Sequence, residues 1–345
     1  MLTWMLYGAY GTTGRLILDE ARRRGHRPIL AGRDAMKLQQ LQQATGLDTA
    51  HLPLERGTEL RAALSGMPCV VLAAGPYEVT GPPMRAACLD ARCAYLDVNG
   101  EADDFSRALA SDDAARAAGV AVIPGAGYGV TFAECLAVQT ARRMPGATSL
   151  RLSLATDTEG RSRAATLSVA RALVRGGLEI QAGELRARPI ASSTWRAPQP
   201  DGQGMSFASV PAAELVAVHR STGIPNVVTG IPMPRIAAAL VRATGPLIGR
   251  VLARTARRSS TSKPSSQTAI EARRSRAWAE ARTDDGRIAT AMLETGEGYR
   301  AAAAAAVRAV EALLQTPRIG ALTPAQAFGA EFALGVPGTR IQEIQ

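Results

Sequence analysis

The sequence predicts an α/β protein of two domains: a doubly wound parallel sheet, then an inserted α+β domain built on a mostly antiparallel sheet. Three observations lead there. Near the N-terminus a short apolar run meets Gly8, Gly11 and Gly14, and a helical pattern follows at once. Strand and helix patterns then alternate as far as Pro124, as a sheet covered on both faces requires. From about residue 148 the texture changes to alternating strands, with a hairpin signal around Thr283-Asp284-Asp285-Gly286. The expected boundaries are 1–128 for the first domain and 129–296 for the second, with a helix and tail at 297–345 returning to the first.

The elements follow in order. After the glycines a helix runs to the turn Gly25-His26-Arg27-Pro28, and Ile29–Ala31 is the second strand. Asp34–Ala44 is helical, Thr49–Leu54 a strand and Thr58–Leu64 a short helix. Pro68–Ala74 is nearly all apolar, as expected of a strand buried on both faces. Pro82–Ala91 reads as a helix, Ala94–Val98 as a strand, Phe105–Ala118 as a helix and Val120–Pro124 as a strand, giving six parallel strands. In the second domain Ser149–Ala155 is a strand and Ser162–Arg175 an amphipathic helix. Strand-like pieces lie near Glu184–Pro189, Ser193–Arg196 and Leu215–Val218, and Ser275–Arg282 pairs with Arg287–Glu294. Glu297–Gln315 is an alanine-rich helix, and 257–266, rich in Ser and Arg, reads as a loop.

The spacing G-x-x-G-x-x-G between strand and helix has a specific chemistry. Gly8 allows the turn, Gly11 lets a pyrophosphate approach the backbone, and Gly14 lets helix and strand pack closely. The helix N-terminus supplies N–H donors and a positive dipole end to the phosphates. That is the layout of a Rossmann-type dinucleotide site, with Tyr10, Thr12 and Thr13 in the loop. At the end of the second strand, where an acid would bind a ribose 2′-hydroxyl, the first polar side chain is Arg33, with Asp34 behind it. Arg33 is placed to pair with a 2′-phosphate, and Lys37 adds a second cation, so NADP (NADPH) is expected over NAD. The competing reading makes Asp34 a helix cap and Arg33 a solvated loop residue.

Further segments join these: Ala73-Ala74-Gly75-Pro76-Tyr77, Tyr95-Leu96-Asp97-Val98-Asn99-Gly100-Glu101, and Pro124-Gly125-Ala126-Gly127-Tyr128-Gly129-Val130. With Tyr7–Arg15 and Ala31-Gly32-Arg33 they resemble the saccharopine dehydrogenase-like family. Ser221-Thr222-Gly223-Ile224-Pro225-Asn226 and Thr323-Pro324-Ala325 look most like its trans-acting enoyl reductase branch. The resemblance implies an NADPH-dependent oxidoreductase reducing an activated C=C bond of a lipophilic, carrier-bound or free acyl or polyketide-like substrate. Two alternatives stay open. One is a reductase or dehydrogenase of C=N or amino-acid-like substrates. The other is a non-catalytic nucleotide-binding or peripheral membrane protein with the same fold.

The loops at 73–77, 97–101 and 125–129 all follow strands at the ligand-binding edge. Ala74, Gly75, Pro76, Tyr77 and Gly100 therefore join the cofactor candidates, and Tyr77, Tyr128 and Glu101 are candidate proton donors. For each a plainer reading exists: turn geometry for Gly75 and Gly100, packing for the tyrosines, a helix N-terminal acid for Glu101. No lysine stands four residues after any tyrosine, which argues against a short-chain carbonyl reductase.

The 345 residues carry a formal net charge of +10, which favours anionic partners. The most basic apolar stretch is 234–258: Ile236, Leu240, Leu247, Ile248, Val251 and Leu252 alternate with Arg235, Arg242, Arg250, Arg254, Arg257 and Arg258. Gly245-Pro246 is expected to break it into two helices. Two readings compete: a helix pair covering the second sheet, or a docking segment for an acidic acyl-carrier protein or an anionic membrane surface. No nucleic-acid motif is present, and the four cysteines and three histidines lack metal-ligand spacing. No apolar stretch reads as long enough to span a bilayer, and the N-terminus reads as a strand, not a signal peptide. The expected location is cytoplasmic, with peripheral membrane contact and a homodimer both left open.

Overall fold

A computed structural model describes residues 3–157, 163–198, 204–255 and 271–344. The chain divides into two compact units. The first comprises 1–99, 103–128 and 299–328; the second comprises 100–102, 129–298 and 329–345.

The first unit begins β1 (Met5–Tyr7), α1 (Thr12–Arg23), β2 (Ile29–Gly32), α2 (Ala35–Thr45), β3 (Thr49–His51) and α3 (Gly57–Leu64). It continues β4 (Cys69–Leu72), α4 (Tyr77–Ala91), β5 (Ala94–Asp97), α5 (Ala102–Leu109), α6 (Asp112–Ala118) and β6 (Ala121–Ile123). α7 (Tyr128–Arg142) leads into the second unit: β7 (Ser149–Ala155), α8 (Arg163–Arg175), β8 (Gly177–Gln181), β9 (Glu184–Arg188), β10 (Thr194–Pro198) and β11 (Gly204–Ser209). There follow α9 (Ala213–Thr222), β12 (Asn226–Pro232), α10 (Arg235–Thr255), β13 (Ser275–Arg282) and β14 (Ile288–Thr295). The chain closes with α11 (Gly298–Gln315), β15 (Gly320–Ala321), α12 (Pro324–Phe328) and β16 (Arg340–Ile344).

The first sheet is parallel throughout, in the order β15-β6-β5-β4-β1-β2-β3. Order reverses between β1 and β4, so the loops after these two strands flank the switch point where doubly wound sheets bind ligands. All four residues of β4 are buried, as its unbroken apolar run requires. Trp4, Ile17, Leu60, Tyr95 and Phe105 fill the core. α11 joins this unit, with Glu311 bonded to Arg24 at 2.9 Å beyond the end of α1.

The second sheet runs β10-β11-β12-β7-β13-β14-β16, with β8 attached to β12 and β9 to β8. Only β7 and β12 pair in parallel; the other pairs of described strands are antiparallel. Phe207 sits between Trp195 and Trp278, with ring centroids 6.4 and 5.5 Å away.

Several expectations need correction. Leu215–Val218 is helical: a four-residue apolar run does not separate strand from helix, and Gly223, left-handed at φ 70°, closes α9. α4 starts at Tyr77, because the Val79 and Thr80 amides both reach the Pro76 carbonyl, and Pro82 and Pro83 lie inside the helix. The helix read at 105–118 is two, separated at Ala110-Ser111, where Ser111 Oγ bonds back to Ala108 O. The parallel sheet has a seventh strand, β15, only two residues long and too short for any periodicity. The tail does not return to the first unit as a whole: 329–345 belongs to the second, and β16 pairs with β14. α10 runs unbroken through Gly245-Pro246, and it is long and apolar enough to cross a membrane by length and composition. The loop expected at 257–266, with Arg257 and Arg258, lies outside the described residues.

Candidate functional site

The glycine loop is held by contacts that only glycine permits. Gly8 has φ +85°, and a Cβ there would fall 2.8 Å from Ala74 Cβ and 3.0 Å from the Ala73 carbonyl carbon. A Cβ on Gly14 would collide with the Gly8 carbonyl oxygen, so α1 lies directly against the end of β1. Gly11 is looser, its would-be Cβ 3.2 Å from Gly8 O. Gly11 is also the N-cap of α1, where it offers no side chain to the first-turn N–H groups, and the first turn holds no acid. The close fit at Gly8 joins the 73–77 loop to the glycine loop at the switch point. Thr80 Oγ1 pins that second loop by donating to Ala74 O at 2.5 Å.

At the end of β2, Tyr10 lies over Gly32, and its hydroxyl accepts from the Arg33 amide at 3.1 Å. Arg33 is exposed, and no carboxylate among the described residues pairs with its guanidinium. Asp34 is occupied elsewhere. Its Oδ1 caps α2 by accepting from the Lys37 amide at 3.1 Å, and its Oδ2 lies 3.2 Å from Lys37 Nζ. These bonds hold the Asp34 carboxyl below its usual range. Lys37 is thus the cap's ion-pair partner, stacked 5.5 Å from the Tyr10 ring, and not the free second cation expected from the sequence.

Behind the loops after β5 and β6 lies a buried polar network that the sequence reading did not single out. Asp97 accepts from Tyr95 Oη at 2.6 Å, the Asn99 amide at 2.9 Å and the Gly125 amide at 2.7 Å. Burial pushes its carboxyl up to about 6 despite those three donors. Arg85 grips Asp104 with two bonds of 2.9 and 2.8 Å, and Asn99 Nδ2 adds a third at 2.9 Å. Asp97 and Asn99 are only two residues apart, so both strand-end loops are fixed by one cluster. An Asp-x-Asn at a strand end was the available signal.

Of the candidate proton donors, Tyr77 is half-buried at the first position of α4, directly after the cis Gly75–Pro76 bond. Tyr128, at the start of α7, is 6% exposed. Glu101 falls in the second unit, where Ser168 Oγ donates to its Oε1 at 2.8 Å. Gly100 also belongs to the second unit; its carbonyl accepts from Ala213 N at 3.3 Å, and a Cβ there would meet nothing within 4 Å among the described residues. The structure therefore brings Gly8, Tyr10, Gly11, Thr12, Thr13, Gly14, Arg33, Ala74, Gly75, Pro76 and Tyr77 together at one edge of the first sheet.

The second unit holds a titratable group missed because its segment reads as a strand. Glu214, in the first turn of α9, is buried against Gly129; its Oε2 has no hydrogen-bond partner among the described residues. Burial raises its carboxyl to about 7, offset in part by its own amide. A carboxyl protonated near neutrality can donate a hydrogen bond or a proton.

Comparison with known proteins agrees with this geometry. Residues 8–124 match a family model described as NAD(P)H-binding. A trans-acting enoyl reductase of Mycobacterium tuberculosis is 33% identical over 104 residues, 28% of this chain and 25% of the relative. A saccharopine dehydrogenase-like oxidoreductase of Arabidopsis thaliana is 26% identical over 253 residues, 63% of this chain and 54% of the relative. The chain thus matches a quarter of the mycobacterial relative and about half of the plant one. Among solved structures, saccharopine dehydrogenase (L-Glu forming) of Saccharomyces cerevisiae superposes with a TM-score of 0.67 at 12% identity, covering 100% of both chains. Homospermidine synthase of Legionella pneumophila, in complex with NAD, gives 0.66 at 8% identity over 99% of this chain and 91% of that one. These structural likenesses show the fold. Together with the sequence matches they support the saccharopine dehydrogenase-like resemblance.

Proposed function

We propose that this protein is an NADPH-dependent reductase acting on an activated C=C bond of a lipophilic acyl substrate. The observation that carries the cofactor half is the end of β2, where Arg33 is exposed without a carboxylate partner among the described residues while Asp34 is committed to capping α2. An acid free to accept from a ribose 2′-hydroxyl would favour NAD; an unpaired guanidinium favours a 2′-phosphate. The dinucleotide fits the first unit. Gly8 and Gly14 let the loop after β1 pack tightly against the 73–77 loop and α1, and the uncapped N-terminus of α1 leaves N–H donors for the pyrophosphate. When bound, NADPH supplies the hydride.

The chain's own residues do the rest. The glycine loop would hold the pyrophosphate at the middle of the cofactor, and Arg33 the 2′-phosphate at its adenosine end. The network around Asp97 and Asp104 keeps the loops after β5 and β6 in place. Tyr77 is assigned the proton that completes the reduction, because it is half-buried and directly follows 73–76, the loop packed against the glycine loop in the same unit, whereas Tyr128 is almost fully buried. The C=C assignment is supported by the partial match to trans-acting enoyl reductases. The second reading, reduction of a C=N bond, is favoured by the full-length superposition on saccharopine dehydrogenase.

Mixing the protein with NADPH and separate enoyl-thioester and imine substrates, and following NADPH absorbance, tests the proposal. Oxidation with the enoyl panel, reduced in Tyr77→Phe at unchanged NADPH affinity, is expected. Oxidation with imines alone moves the assignment to the second reading, and NADPH binding without turnover of either class removes the catalytic claim.

A further inference from the structure

α10 is built inside out for a soluble helix. Its inner stripe is made of small residues: Gly245 and Gly249 are buried against α8, and Ala238 is buried against Ala191 and Ala208. A Cβ on Gly249 would fall 2.6 Å from Ala170 O and 2.9 Å from Leu173 Cβ, so the two helices touch at the backbone. The opposite stripe holds the large apolar residues. Ile236, Leu240, Leu247 and Val251, spaced by four, seven and four, are 88%, 59%, 62% and 58% exposed. A water-facing helix normally presents the reverse pattern, with its apolar stripe inward. The Thr244 and Thr255 hydroxyls bond back to Leu240 O and Val251 O, which keeps them from adding polarity to the outer face.

The charge on this helix has one sign. It carries Arg235, Arg242, Arg250 and Arg254 and no acid, and no carboxylate among the described residues pairs with any of them. The next residues add Arg257, Arg258 and Lys263 in sequence. This combination selects among occupants. A second copy of the helix would bring four arginines against four arginines, which like-charge repulsion opposes. A transmembrane placement would pull the small-residue stripe off α8 and bury Arg242 and Arg250 in hydrocarbon. A helix with exposed apolar side chains and cations fits an anionic interface, apolar groups below the headgroups and guanidiniums among the phosphates.

We infer that the outer face of α10 docks the protein in the plane of an anionic membrane surface. The occupant is the lipid headgroup and acyl boundary itself, and the inference holds whichever substrate is reduced, because it uses no residue of the nucleotide site.

The test is flotation of the 345-residue chain with vesicles of phosphatidylcholine alone and of phosphatidylcholine mixed with phosphatidylglycerol, at low and moderate salt. The protein should float with the mixed vesicles, weakly or not at all with phosphatidylcholine, and less as salt rises. Replacing Arg235, Arg242, Arg250 and Arg254 with Gln should reduce partition at least tenfold. Leu240→Gln combined with Leu247→Gln and Val251→Gln should do the same with an unchanged far-ultraviolet spectrum, since these side chains are exposed. No binding to mixed vesicles overturns the inference, as does equal binding of the unmutated protein and both variants. Saturable binding to an acidic acyl-carrier protein without vesicle binding replaces lipid with a protein partner. A concentration-dependent dimer in ultracentrifugation, lost in the leucine variant and without vesicle binding, replaces it with self-association.

Discussion

Glu214→Gln isolates one buried ionisation. The folded chain holds this carboxyl up to about 7, against 4.5 for an ordinary glutamate, because burial penalises the charged form. The unfolded chain releases the proton near 4.5 and the folded chain only near 7, so between these values the folded state binds more protons. Stability therefore falls as pH rises through this window and is flat above it. At about 1.4 kcal/mol per pH unit the full penalty is about 3 kcal/mol, of which about 2 kcal/mol develops between about pH 5.5 and about pH 8.5. Glutamine keeps the shape and an oxygen for the amide at the helix start but has no charge to bury. The variant should thus gain on the parent by about 2 kcal/mol more at the alkaline end than at the acidic end. Urea unfolding of the whole chain in a Trp4→Phe background measures it. Of the three tryptophans, Trp195 and Trp278 then remain, both in the second unit with Glu214, and Asp97, which titrates in the same range, is common to parent and variant and cancels in their difference. Parallel pH profiles in parent and variant would refute the reasoning, since they would mean that Glu214 is solvated or paired.

Arg33→Glu should weaken NADPH by roughly 1.5–3 kcal/mol, ten- to hundredfold, and leave NADH affinity within a few fold; fluorescence titration of both cofactors measures the difference. Gly11→Val should fold, because Gly11 has an extended φ of -73° and its Cβ needs only a small give from the Gly8 carbonyl oxygen 3.2 Å away, yet lose both cofactors, while Gly14→Ala should lower the unfolding midpoint, because its Cβ collides with that carbonyl. A folded Gly11→Val chain with normal affinity would make the loop a simple turn. Asp104→Asn leaves Arg85 charged, 7% exposed and half-partnered, and should cost roughly 3–5 kcal/mol in urea unfolding of the first unit. A change below about 1 kcal/mol would show that water replaces the pair.

Local signals made the nucleotide half of this protein legible. Three glycines before a helix, and an apolar run such as Cys69–Leu72, state backbone needs that few folds share. Arg33 and Asp34 could be named from sequence, but which one is free could not, because Asp34's cap depends on the rotamer that also captures Lys37. The Arg85–Asp104 pair joins residues 19 apart on two helices, and no periodicity marks such a contact. Glu214 was hidden by Leu215–Val218, four apolar residues that fit either period, although Gly223 was the helix-end signal that decides it. For α10 composition gave the helix its apolar and basic character, but not which stripe faces out. That depends on α8, whose backbone approaches only where Gly245 and Gly249 leave room.

The most direct test of the central claim is a pair of equilibrium titrations of the unmutated protein, one with NADPH and one with NADH, at the same salt. If the exposed guanidinium of Arg33 reads a 2′-phosphate, NADPH binds at least tenfold tighter, and the gap narrows as salt rises. Equal affinities, or tighter NADH, would contradict the assignment of Arg33 and with it the NADPH-dependent reading of the site.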